Sequence, residues 1–197
     1  MIAAGRRLFA RRGYDGASVR AITAEADANL GAITYHFGSK RALYERVVGD
    51  SLKPLSGRVE AVAHGPGAPI ERLQGVMRAF FDHHLGGDPD FPRLMLQELV
   101  LGRMPPEAAA ESLWRIKATL TELLREGQAE GVIRPGDPWI IALGIISQPV
   151  HFSLMAPVLR ALTGLDLYEP STRERVVEQA VGFVLEGIAC DSEERHE

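Results

Sequence analysis

The sequence predicts an all-α protein in which a small N-terminal helical module precedes a larger helical bundle. Three observations carry this. No run of alternating apolar and polar residues is bounded by a tight two-residue turn, so hairpins are not expected. Helix-start residues recur along the chain, at Ser18, Asn29, Ser39, the Asp137-Pro138 pair and Ser171. Apolar residues then follow at helical spacing, as in Val177, Val181, Val184 and Ile188.

Taken in order, the first helix starts near Ile2 and ends with Arg11 and Arg12 before Gly13, a basic C-terminus with a glycine stop. Ser18 opens a short second helix with Ile22 and Ala26 inward. Asn29 opens a third at Leu30, and Ser39 a fourth at Lys40, which Pro54 is expected to end or kink. "HGPGAP" (64–69) reads as a linker. Residues 70–85, 91–102 and 106–130 read as amphipathic helices. Asp137-Pro138 starts the next, and Ser171 with Glu174 at capping-box spacing starts the last. The division implied is a small N-terminal module over 1–48 and a larger helical body over 49–197.

The chain has 197 residues, 46% of them hydrophobic, enough to bury a sizeable core. Its one cysteine, Cys190, excludes an internal disulfide and a cysteine zinc cluster, which points to a reducing, cytoplasmic setting. "MIAAGRRLFARRGY" has no long apolar core and does not read as a signal peptide. The net charge of −4 is unevenly spread. Residues 1–53 hold nine Lys or Arg against five Asp or Glu, and residues 54–197 hold thirteen against twenty-one. A basic module on an acidic body suits an anionic partner bound at one end.

The densest local pattern is "ADANLGAITYHFGSK" (26–40). Two short helices joined by Asp27-Ala28-Asn29 are not stable by propensity and need an apolar clamp. Val19, Ile22, Ala26, Ile33 and Phe37, closed by Leu8 and Phe9, supply one. Outward on the third helix remain Leu30, Gly31, Ala32, Thr34, Tyr35 and His36, with no carboxylate. Such a face approaches double-stranded DNA closely: Tyr35 and His36 can bond phosphates, and Ala32 or Thr34 can meet thymine methyls. Lys40 and Arg41 lie in a helix first turn, where the macrodipole disfavours cations, so an isolated chain is expected to gain nothing from them unless a phosphate docks there.

The stretch "GYDGASVRAITAEADANLGAITYHFGSKRALYERVV" (13–48) resembles the N-terminal helix-turn-helix of TetR-type bacterial transcriptional regulators. The resemblance implies a homodimer whose third helix enters the major groove of a palindromic operator, and whose body binds a small molecule that releases the DNA. By position it maps DNA contacts onto Arg20, Leu30, Ala32, Thr34, Tyr35, His36 and Lys40, with Asn29 counted beside them at the turn. Asp27 stands where the family usually has a glycine, which predicts a left-handed aspartate or an altered turn. Thr34 stands where an aromatic is frequent.

In the body, residues 139–159, "WIIALGIISQPVHFSLMAPVL", carry no formal charge and are long enough to span a membrane. Ser147, Gln148, Pro149, His151 and Pro157 in the middle argue against that, so a helix buried on two sides is expected, with no membrane partner. One stripe serves its own core and the other a second subunit. With the last helix it resembles the family's dimer interface, assigned to Ile141, Ile145, Phe152, Val177, Val181, Val184 and Ile188. Phe80, His84, Met95, Trp114, Gln148, His151 and Phe152, with Gln97 nearby, are candidates to line a pocket for a small apolar or amphipathic effector.

No catalytic set, cofactor motif or metal motif is visible. Adjacent His83 and His84 point different ways on a helix, unlike a metal pair spaced by three or four residues. An enzyme built on a helical bundle is therefore the distant alternative. A helix-turn-helix protein controlled by a protein partner, or by no ligand, is the nearer one.

Overall fold

A computed structural model describes residues 1–86, 90–100 and 106–190, and of residues 97–100 and 108 the backbone alone. Among the described residues the chain forms nine helices and no strand: α1 (Ile2–Gly16), α2 (Val19–Glu25), α3 (Ala32–Phe37), α4 (Lys40–Ala63), α5 (Pro69–Leu85), α6 (Asp90–Val100), α7 (Glu107–Ala129), α8 (Pro138–Thr163) and α9 (Pro170–Ile188). They pack as two compact units, Met1–Pro54 with Asp88–Leu113, and Leu55–Gly87 with Trp114–Glu197.

The first unit is built round Phe9, Ile22, Ile33, Leu43, Val47 and Leu94, all buried. α6 packs on α1, and its Phe91, Leu94 and Met95 join this core. α1 is broken at Gly13, whose φ of 70° and ψ of 173° no helix contains; the expected glycine stop is there, with one further turn beyond it. Arg7 Nε lies 2.6 Å from Glu25 Oε1 and ties α1 to α2.

The second unit buries Leu73, Met77, Phe81 and Leu85 of α5 with Leu120 and Leu124 of α7, Ile145 of α8 and Val177 and Val181 of α9. Arg78 pairs with Glu174 at 2.6 Å, and Arg58 with Asp82 at 2.9 Å, across its helices. Ile133 and Ala189 form an isolated antiparallel bridge, with Arg134 N–H donating to the Ile188 carbonyl at 2.8 Å.

Most start signals act as expected, and those at Asn29 and Ser171 do not. Asp137 Oδ1 accepts from the amides of Trp139 (2.8 Å) and Ile140 (3.3 Å), with Pro138 at the first helical position. The last helix starts one residue before Ser171, and its cap is Glu169 rather than Ser171. The Glu169 carboxylate accepts from Ser171 Oγ (2.7 Å) and from the Thr172 (2.6 Å) and Ser171 (3.0 Å) amides, which lower its pKa to about 2. Pro54 does not end α4, which runs through it to Ala63. Burial of Leu55 and Val59 just beyond it supplies what the missing amide removes. Residues 101–102 of the expected sixth helix, and the side chain of Gln97, lie outside the described residues.

Candidate nucleic-acid interface

Ser18 opens α2, its Oγ accepting from Ala21 N–H at 3.1 Å. The helix closes on Asp27, whose φ of 49° is left-handed. Ala28 N–H donates to the Thr23 carbonyl (2.9 Å) and Asp27 N–H to that of Ala24 (3.2 Å), a Schellman closure with aspartate in the glycine position. The turn therefore keeps its usual geometry and carries the strain of a non-glycine residue in it.

The expected start of the third helix needs correction. α3 begins at Ala32, leaving Leu30 and Gly31 in the turn, and Asn29 contributes its carbonyl to Ala32 N–H (2.9 Å) rather than a side-chain cap. Its last turn ends at Gly38, with φ of 80° and an amide bonded to the Thr34 carbonyl at 3.0 Å. Ser39 Oγ then accepts from Ala42 N–H at 3.1 Å and starts α4.

Only Ile33 of α3 is fully buried, with Phe37 packed beside it. Tyr35 is 85% exposed and Leu30 62%, and Asn29, Gly31, Thr34 and His36 are exposed with them, while Ala32 is half-buried. The Tyr35 and His36 rings meet edge to face at 4.8 Å, so the two groups form one polar-tipped aromatic ridge. Arg20 is exposed on α2.

Lys40 and Arg41 were expected to gain nothing in the isolated chain, and this is incorrect. Lys40 Nζ lies 4.4 Å from the Tyr14 ring centroid, and Arg41 Nε lies 2.8 Å from Glu45 Oε1, one helical turn on. The aromatic support at Tyr14 was not foreseen; the signal was its position one residue after the Gly13 stop.

The body residues divide. Phe80 and His84 are buried in the second unit, and Phe152 packs against Phe81 with centroids 5.9 Å apart. His84 Nδ1 lies 2.8 Å from the Phe80 carbonyl, and desolvation lowers its pKa to about 4, so the ring is neutral near pH 7. Met95 belongs instead to the first unit's core, and Trp114 is 65% exposed. Trp114 borders an open groove of about 600 Å³ along α7 with Lys117, Ala118, Thr121, Glu122 and Arg125. Gln148 is half-buried and His151 exposed on α8. The seven candidates therefore do not line one site.

The expected dimer seam also needs correction. Ile145, Val177, Val181 and Ile188 are buried in the chain's own core, and Ile141, Phe152 and Val184 pack against it. The apolar groups left outside are Ile140, Leu143, Val158 and Leu162 on α8, and Phe183 on α9. The periodicity found two stripes on α8 and could not say which faced inward.

A sequence model of bacterial regulatory proteins of the tetR family matches residues 1–47, and one described as a tetracyclin repressor-like C-terminal domain matches residues 69–184. The chain belongs to the tetR family. This tetR-family protein is 25% identical over 195 residues to the HTH-type transcriptional repressor KstR2 of Mycolicibacterium smegmatis, covering 96% of this chain and 89% of that one. Its fold matches a tetR-family regulatory protein from Rhodococcus RHA1 with a TM-score of 0.79 at 22% identity, over 97% and 96% of the two chains. It also matches AibR, solved in complex with isovaleryl coenzyme A and operator DNA, with a TM-score of 0.73 at 21% identity, over 92% and 94%. The tetR-family chain is a transcriptional regulator and not an enzyme. α8 is long and apolar enough to cross a membrane by length and composition, but it lies within the matched C-terminal domain and packs on α5.

Proposed function

We propose that the protein is a cytoplasmic homodimeric repressor that binds a palindromic operator and is released by a small apolar or amphipathic ligand. The observation that carries the DNA half is the α3 face: Tyr35 lies open to solvent beside Thr34 and His36 on a six-residue helix anchored by Ile33, with Leu30 exposed in the turn before it. Nothing in the fold of a single chain calls for that exposure. In the major groove, Ala32 and Thr34 meet base edges, while Arg20, Asn29, Tyr35, His36 and Lys40 meet phosphates.

Two such modules must be held at a fixed separation to read a palindrome. The exposed stripe of Ile140, Leu143, Val158 and Leu162 with Phe183 is the surface we assign to the second subunit. The functional division runs at about residue 48, with DNA binding before it and dimerisation and effector binding after it. For the effector, Phe80, His84 and Phe152 share the interior of the second unit, and the likeness to a regulator that holds an acyl coenzyme A makes acyl thioesters the first class to test.

The test is fluorescence anisotropy against duplexes tiled from the region upstream of the gene, at about 50 and 200 mM salt, where phosphate contacts show themselves. Tight, salt-sensitive binding to a near-palindromic tile, with two chains per duplex, is expected. One chain per duplex would overturn the dimeric reading. Lys40→Ala should weaken all duplexes alike and lower the salt slope by about one per site, whereas Thr34→Ala should change the preference among operator variants.

A further inference from the structure

Two basic residues open α4, and the fold holds them by different means. Arg41 is 78% exposed and bound to a carboxylate, that of Glu45. Lys40 is half-buried with its ammonium 4.4 Å over the Tyr14 ring, and among the described residues no carboxylate pairs with it. The ring is itself fixed. It stacks on Phe9 (centroids 6.2 Å apart, planes at 25°) and meets Tyr44 edge-on at 5.1 Å, and Phe9 and Tyr44 are buried.

The choice of partner matters for binding an anion. A carboxylate would orient the lysine but cancel the charge that a phosphate needs. An aromatic face attracts the ammonium through its quadrupole and leaves the net charge in place. Holding a rotamer-rich side chain before DNA arrives also reduces the ordering cost at the moment of binding. The break at Gly13 allows one more turn of α1, and Tyr14 is the first residue of that turn.

We propose that Tyr14 is a positioning residue for DNA binding, its ring holding the Lys40 ammonium ready for a backbone phosphate without neutralising it. This rests on the reading of Lys40 as a phosphate contact, and the test separates the two. Operator affinity is measured by anisotropy for the full chain and for Tyr14→Phe, Tyr14→Leu, Lys40→Ala and the Tyr14→Leu/Lys40→Ala double variant. Tyr14→Phe should bind like the parent, and Tyr14→Leu about 2- to 5-fold more weakly per half-site, the range of an exposed cation–π contact. In the Lys40→Ala background Tyr14→Leu should then have no further effect. An equal loss in both backgrounds would make Tyr14 a packing residue and overturn the proposal. Unchanged affinity and salt slope in Lys40→Ala would instead overturn the phosphate reading. A second readout needs no variant: in the unmodified protein the Lys40 ε-methylene protons should resonate upfield of those of Lys53, which pairs with Asp50. Coincident shifts would place Lys40 off the ring and overturn the proposal.

Discussion

α3 and α8 both leave large side chains in solvent, but they are held in place in opposite ways. α3 has six residues, too few to be helical alone, and hangs from the rest of its unit by Ile33 and Phe37. α8 has 26 residues, a proline after its Asp137 cap and a left-handed Gly164 at its end, so it is specified locally at both termini. One face, through Ala142, Ile145, Pro149, Ser153 and Ala156, is buried; the other carries Ile140, 67% exposed, and Leu162, 79% exposed. The thin anchor leaves Thr34, Tyr35 and His36 of α3 in solvent, the face we assign to DNA. The two-faced α8 has a second apolar surface left to cover. Exposure thus has two meanings here, set by what kind of group is exposed and on how large an area.

The largest effects should come from the anchors. Ile145→Asp puts an unpaired charge into the second unit's core and should leave the chain insoluble or unfolded by circular dichroism, whereas Leu143→Asp on the opposite face should keep the helical spectrum and give monomers in sedimentation. A folded monomer from Ile145→Asp, or a dimer from Leu143→Asp, would break the contrast between the two faces.

Ile33→Ala should cost about 2–5 kcal/mol in denaturant unfolding, because α3 has no comparable second anchor. Tyr35→Ala should change stability by less than about 0.5 kcal/mol while weakening operator binding, since its side chain is 85% exposed. Equal stability losses from the two would mean that α3 is not held from one side.

His84 gives a pH dependence to the second unit. Its folded pKa of about 4 lies below 6.5, so the unfolded chain takes up the proton first; stability is full above about pH 6.5 and falls toward pH 4, by on the order of 3 kcal/mol. In His84→Gln the midpoint of denaturation should vary less over that interval. The smallest expected change is Asp137→Ala, about 1 kcal/mol from the lost cap at the start of α8, with operator affinity unchanged.

Much of this was legible in the chain because it depends on neighbours in sequence. Ser18, Ser39 and Asp137 cap through amides two or three residues away, Gly13 and Gly38 stop helices at their own backbone angles, and Val19, Ile22, Ile33 and Phe37 clamp two helices only a turn apart. The exposure of Thr34, Tyr35 and His36 on α3 followed from that clamp by helical geometry, whereas Leu30 and Gly31 fell in the turn and Ala32 is half-buried. What the sequence left open were choices between chemically equivalent options that only distant partners resolve. Either apolar stripe of α8 could have faced inward, and the one with Ile145 joined the core that α8 shares with α5, leaving Leu143 outside. Pro54 reads as a breaker until burial on its far side holds α4 together. Met95 and Phe80 look alike as apolar helix residues, yet they fall in the cores of different units. Lys40 reads as a cation at the unfavourable end of a helix until the Tyr14 ring, 26 positions earlier in the chain, is found beneath it. Local hydrogen bonding sets where helices begin and end; which face is buried, and what a charge rests on, is decided by packing between segments that the sequence does not place side by side.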